Sequence, residues 1–147
     1  MPARALAYVA LLLAVASLSL PRSMAQAPQE PANAAHAFLT ALTGDVDAAY
    51  KTLLEESPLA SDPERVKKVV SDTKKLFGPK SAYGSPRKDE AIERIKAERV
   101  GNDLAVLRYL YKFDRLPVVW HFTYYRTDEK WVLVGVRFDH EYDSLVP

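Results

Sequence analysis

The feature that most restricts the fold of this chain is a change of hydrophobic period near Ile92. Before it, apolar residues recur at helical spacing; after it, they alternate. The alternating part divides into "IERIKAERV", "LAVLRYLYKF", "VVWHFTYYR" and "WVLVGVRFD", each long enough for one strand. Short turns at Gly101-Asn102-Asp103, Asp114 to Pro117 and Asp128-Glu129 join them, so neighbouring strands run antiparallel. Helices first and antiparallel strands second predict an α+β domain, with three N-terminal helices packed on a bent four-stranded antiparallel sheet.

The helical part is punctuated by caps and breakers. The first pattern runs from about Ala34 to Leu42, with Phe38, Leu39 and Leu42 on one side. Asp45 is placed to cap the second, "VDAAYKTLLEE", and Ser57-Pro58 stops it. Asp62 caps the third, Pro63 takes its first position, and Gly78-Pro79 follows its end. Its apolar stripe is Val66, Val69, Val70, Thr73, Leu76 and Phe77. Lys67, Lys68, Lys74 and Lys75 fall on its polar side, with Lys80, Arg87 and Lys88 soon after, and read as a solvated face.

The first residues belong to a different kind of segment. "MPARALAYVALLLAVASLSLPRSMAQA" carries Arg4, an uncharged apolar run from Ala5 to Leu20, a breaker at Pro21, and small residues at Ser23 and Ala25. That order predicts a secretory signal peptide over residues 1–25, cleaved after Ala25, and hence export to the bacterial periplasm or beyond the cell. A retained anchor is the rival reading, but the run falls short of the about 20 apolar residues that span a bilayer. Residues 26–33 then form a flexible, Pro-rich lead-in, and 34–147 a single domain. With no cysteine anywhere, disulfides and thiolate metal sites are excluded, so the core alone must hold the fold. Losing Arg4 and Arg22 with the leader takes the formal charge from +1 to −1, which favours neither nucleic acid nor a membrane surface as partner. No membrane span is expected in the mature form.

The turns also suggest a register. Pairing Phe113 with Val118 sets Tyr111 opposite Trp120, Tyr109 opposite Phe122 and Leu107 opposite Tyr124, which defines the helix-covered face. Pairing Thr127 with Lys130 carries that face into the last strand, with Leu133 opposite Tyr124, Gly135 opposite Phe122, Arg137 opposite Trp120 and Asp139 opposite Val118. An aromatic wall with converging polar groups at one end is the form of a small-molecule pocket, so Tyr109, Tyr111, Trp120, Phe122, Gly135, Arg137 and Asp139 are its candidate lining. The structural alternative has Arg137 stacked on Trp120 and paired with Asp139. The opposite face gathers Leu110, Val119, Tyr125, Val132, Val134, Val136 and Phe138, too apolar for open solvent. A homodimer through Val119, Tyr125, Val132, Val134 and Val136 would cover it, or the segment 78–91 folded across it.

"GDVDAAYKTL", the Asp-Pro-capped third helix and the closing "EKWVLVGVRFD" resemble the nuclear transport factor 2-like superfamily, in particular its small secreted bacterial members. The resemblance covers nearly all of the expected mature chain. It implies a cone of three helices and a bent sheet around a pocket, and dimerisation through the sheet face. It does not choose a function, since the superfamily holds isomerases, dehydratases, cyclases and non-enzymatic binding modules.

Among chemistries, proton transfer would need a carboxylate near phenolic donors, and Tyr109, Tyr111 and Asp139 are the set that the register brings together. Asp139 is thus the one catalytic candidate. Asp139, His140 and Glu141 alternate sides in a strand and cannot converge on a metal, and His36 and His121 lack spaced partners. No nucleophile elbow or phosphate-binding glycine loop is present, and no cofactor is called for. The leading expectation is an exported, non-enzymatic domain that binds a small apolar ligand or an envelope protein. A proton-transfer isomerase or dehydratase, and a purely structural envelope partner, are the alternatives.

Overall fold

The computed structural model describes residues 29–145. The expected signal peptide, its cleavage site at Ala25 and the first residues of the lead-in lie outside them. Three helices, α1 (Gln29–Ala41), α2 (Val46–Leu54) and α3 (Pro63–Phe77), precede four strands, β1 (Ile92–Val100), β2 (Leu104–Tyr111), β3 (Val118–Arg126) and β4 (Trp131–Asp139). The strands pair antiparallel in sequence order, so the domain is α+β with all its helices N-terminal to the sheet.

Local chemistry accounts for the helix boundaries. Asp45 accepts a hydrogen bond from the Ala48 N–H, and Asp62 does the same for Arg65, satisfying donors that a helix start leaves free. Pro63 supplies the fixed φ of a first helical turn, and Gly78 follows the last. A 3-10 turn at Pro58–Ser61 fills the gap between α2 and α3. One boundary differs from expectation: α1 starts at Gln29, so residues 29–33 are helical and not a flexible lead-in. Burial of Pro31 and Ala32 against the domain extends the helix beyond what its apolar period announced.

On the sheet, Ala105, Leu107, Tyr109, Tyr111, Val118, Trp120, Phe122 and Tyr124 are all at most 5% exposed and form the face beneath the helices. Their register differs from the expected one by a shift that preserves faces: Tyr111 lies opposite Val118, Tyr109 opposite Trp120 and Leu107 opposite Phe122. Phe113 is not part of that ladder. It bridges Pro86, and residues 112 to 116 exchange backbone hydrogen bonds with the segment 83–91, which closes this end of the sheet.

A larger correction concerns β4. Thr127 pairs with Lys130 and Tyr124 with Leu133 as expected, but a bulge follows, and Thr123 lies opposite Gly135. Val134 is the extra residue. Beyond it Phe122 meets Val136, His121 meets Arg137, Trp120 meets Phe138 and Val119 meets Asp139. Gly135, Arg137 and Asp139 therefore sit on the face away from the helices, and Val136 and Phe138 join the core. The physical reason is selection by burial. Covering Val136 and Phe138 contributes about 1.5–3 kcal/mol each, whereas an unbroken register would bury an arginine and an aspartate instead. Gly135 permits the close approach, because a Cβ there would stand 3.3 Å from the Thr123 Cβ.

This bulge yields a test. Deleting Val134 removes the one unpaired residue and leaves Leu133, Val136 and Phe138 on the core face of an unbroken ladder, with Arg137 and Asp139 still outside; cooperative thermal unfolding by circular dichroism is expected to persist, and its loss would refute Val134 as the extra residue. Val134→Ala keeps the bulge and is expected to cost no more than about 1–2 kcal/mol.

Candidate functional site

The four aromatic pocket candidates are core residues. Tyr109, Tyr111, Trp120 and Phe122 are buried, and Phe38 of α1 enters among them. Its ring meets Tyr50 at 4.9 Å, Trp120 at 5.6 Å and Phe122 at 5.9 Å, edge-on each time. Phe77 closes the other end against Tyr111 and Phe113, at 5.2 Å from each. The Tyr109 hydroxyl donates to the Ala32 carbonyl at 3.0 Å, and the Tyr50 hydroxyl lies 2.8 Å from the Thr73 hydroxyl. Burial pushes the phenols of Tyr50 and Tyr111 up to about 12, so neither is poised to release a proton near neutrality. None of the grooves described below is lined by these four candidates.

Gly135, Arg137 and Asp139, the remaining candidates, lie across the sheet from those phenols. The Arg137 Nη1 donates to the Asp139 Oδ2 at 2.5 Å, and the other carboxylate oxygen accepts from the Glu141 N–H. Half of the structural alternative thus holds: Arg137 pairs with Asp139, but the bulge keeps it off the Trp120 ring. The proposed set of Asp139 with Tyr109 and Tyr111 is not assembled. His121, which showed no spaced partner in the sequence, does join Asp139, with its Nε2 3.1 Å from the same Oδ2 but without a well-aligned hydrogen bond. Burial, with the Arg137 charge next, holds the His121 imidazole below its ordinary value of 6.5, and Asp139 offsets part of this. Among the described residues no group of three or more His, Asp or Glu is placed to hold a metal ion.

The outer face also differs in composition from the dimer surface expected. Leu104, Val106 and Leu110 of β2, Val119 and Tyr125 of β3, and Val132 of β4 share it, but Val136 is in the core and Val134 occupies the bulge. Tyr125 is 48% exposed there. Among the described residues no helix is long and apolar enough to cross a membrane.

The concavity best suited to a ligand lies elsewhere, between α1, α2 and the β3–β4 hairpin. It is a groove of about 500 Å³. Ala34, Ala37 and Ala41 line it from one stripe of α1, and Ala48, Ala49 and Thr52 face them from α2. These small side chains leave room that leucines would fill. Phe38 and Leu53 add to the apolar lining, and Tyr124, Trp131 and Leu133 form the sheet wall. Ser57 fixes the corner, donating to the Leu133 carbonyl at 2.6 Å and accepting from the Leu59 N–H. Tyr124 is 5% exposed, and its hydroxyl has no hydrogen-bond partner among the described residues. Burial raises its pKa, so the phenol stays protonated and available as a donor.

A broader depression of about 1090 Å³ runs between α2 and α3 over Val66 and Val70. Its buried hydroxyl, that of Tyr50, is already satisfied by Thr73. No family model, curated protein or solved structure matches the chain. The groove is thus read from its own residues. The alanine stripe of α1 was visible in the sequence, at Ala34, Ala37 and Ala41, but exposed alanines carry no ligand signal until a second helix faces them.

His121 supplies the pH test of this region. Its folded-state value lies below that of the unfolded chain, so the unfolded state takes up its proton first as pH falls. The stability owed to neutral His121 is present above about pH 6.5 and lost as pH drops from there toward the lower folded value. His121→Gln is expected to flatten the fall in Tm between about pH 7.5 and about pH 5; parallel profiles for the two proteins would refute this.

Proposed function

We propose that this chain is an exported, non-enzymatic binding domain whose α1–α2 groove takes a small apolar or amphipathic ligand. The observation that carries the reading is the groove itself: apolar walls from two helices and a hairpin, with a buried hydroxyl at Tyr124 that has no partner among the described residues. Its volume of about 500 Å³ is in the range of small-molecule sites, and a few polar groups in an apolar cleft are what fix a ligand's orientation. The leader sequence supports export. A proton-transfer enzyme is the weaker reading, because the Asp139 carboxylate and the Tyr109 and Tyr111 phenols lie on opposite faces of the sheet.

The test uses the neutral fluorophore N-phenylnaphthylamine. Saturable enhancement of its emission is expected with the wild-type domain and loss of that enhancement with Ala37→Trp, whose indole fills the groove from an exposed helix position. Equal binding by the folded variant would place the site elsewhere.

A second surface role is favoured by the outer sheet face, where Leu104, Val106, Val132 and the half-exposed Tyr125 adjoin. Self-association there, or docking of an envelope protein, would remove this apolar surface from water. Light scattering of the domain is expected to give the mass of a dimer that Tyr125→Arg converts to a monomer; a monomer in the wild type removes self-association.

A further inference from the structure

The groove between α1 and α2 has an electrostatic character that the whole chain lacks. Glu30, Asp45, Glu55 and Glu56 lie around its apolar lining, and no lysine, arginine or histidine is among the residues that line it. The chain as a whole is close to neutral, with 20 basic and 19 acidic residues, so this concentration is local. Lys130 neutralises one of the four by pairing with Glu56 at 2.7 Å. Among the described residues, Glu30 and Glu55 have no ion pair. Asp45 spends one oxygen on its helix cap and keeps the other.

Glu55 stands in an unusual place. It is the C-cap of α2, where the backbone carbonyls already present partial negative charge. A carboxylate at that end is disfavoured by the helix dipole, and a positive charge brought beside it would be attracted by both. The aromatic lining adds to the same preference, since Trp131, Tyr124 and Phe38 are among the groove residues and cations are attracted to aromatic rings. The buried Tyr124 hydroxyl, with no partner among the described residues, marks a polar contact that the domain leaves open.

We infer that the ligand of this groove is a small amphipathic cation, an amine or quaternary ammonium group carried on an apolar body. The inference rests on the binding role proposed for the groove and adds the charge class. The apolar part lies along Ala34, Ala37 and Leu53, and the cationic group sits toward Glu55 and Glu30. Anionic amphipaths of equal length meet the same apolar walls but are repelled by the carboxylates.

Isothermal titration of the domain with decyltrimethylammonium, decanol and decanoate, each below micelle formation, separates the terms. The cation is expected to bind about tenfold or more tightly than decanoate, with decanol between them, and the preference is expected to shrink as salt is raised. Glu30→Gln/Glu55→Gln, both at exposed positions, is expected to weaken the cation about tenfold and change decanol by less than about twofold. Equal affinity for all three probes, or a double variant with unchanged cation affinity, overturns the charge assignment and leaves the groove as a neutral apolar site. Failure of all three probes to bind overturns the groove as a binding site altogether.

Discussion

The packing of Phe38 against Tyr50, Trp120 and Phe122 is the contact on which the rest of the domain depends. One ring of α1 touches the second helix and two residues of the central strand β3 at once, in edge-on contacts of 4.9 to 5.9 Å. Such pairs contribute about 0.5–1.5 kcal/mol each beyond the area they bury. They also fix how far α1 stands from the sheet. With that spacing set by a large ring, the neighbouring alanines at 34, 37 and 41 cannot reach across to α2, and the groove is the space they leave. The site and the core are thus consequences of the same alternation between one bulky residue and several small ones.

The second constraint is the phase change in β4. Trp131 and Leu133 belong to the helix-covered face by odd number, and Val136 and Phe138 by even number, so no regular strand buries all four. One extra residue at Val134 reconciles them, and Gly135 lets the chain pass close to Thr123. The bulge has chemical consequences. It removes Arg137 and Asp139 from the aromatic wall, delivers them to the outer face beside His121, and so separates the carboxylate from the phenols that a proton-transfer site would need.

Much of the fold was legible in the sequence because its signals are local. Asp45, Asp62, Pro63 and Gly78 mark helix ends through their own backbone chemistry, and the period change at Ile92 separates helices from strands without reference to anything distant. The candidate site was less legible. Tyr109, Tyr111, Trp120 and Phe122 were correctly placed on one face, but whether a face of rings is a pocket or a core depends on what enters it, and Phe38 fills it from a remote part of the chain. The groove was missed because its lining comes from α1, α2 and the β3–β4 hairpin at once, and alanines on a helix surface are silent in isolation.

By itself, the sequence determined the order of the elements, the antiparallel pairing and the membership of the aromatic face in β2 and β3. These follow from caps, turn lengths and a two-residue alternation, all set within a few positions of the residues concerned. Tertiary structure decided the rest. Where β4 breaks its register was settled by competition between burying Val136 with Phe138 and burying Arg137 with Asp139, a comparison that exists only once the helices lie on the sheet. Where a ligand can enter was settled by the distance that Phe38 imposes between α1 and its neighbours.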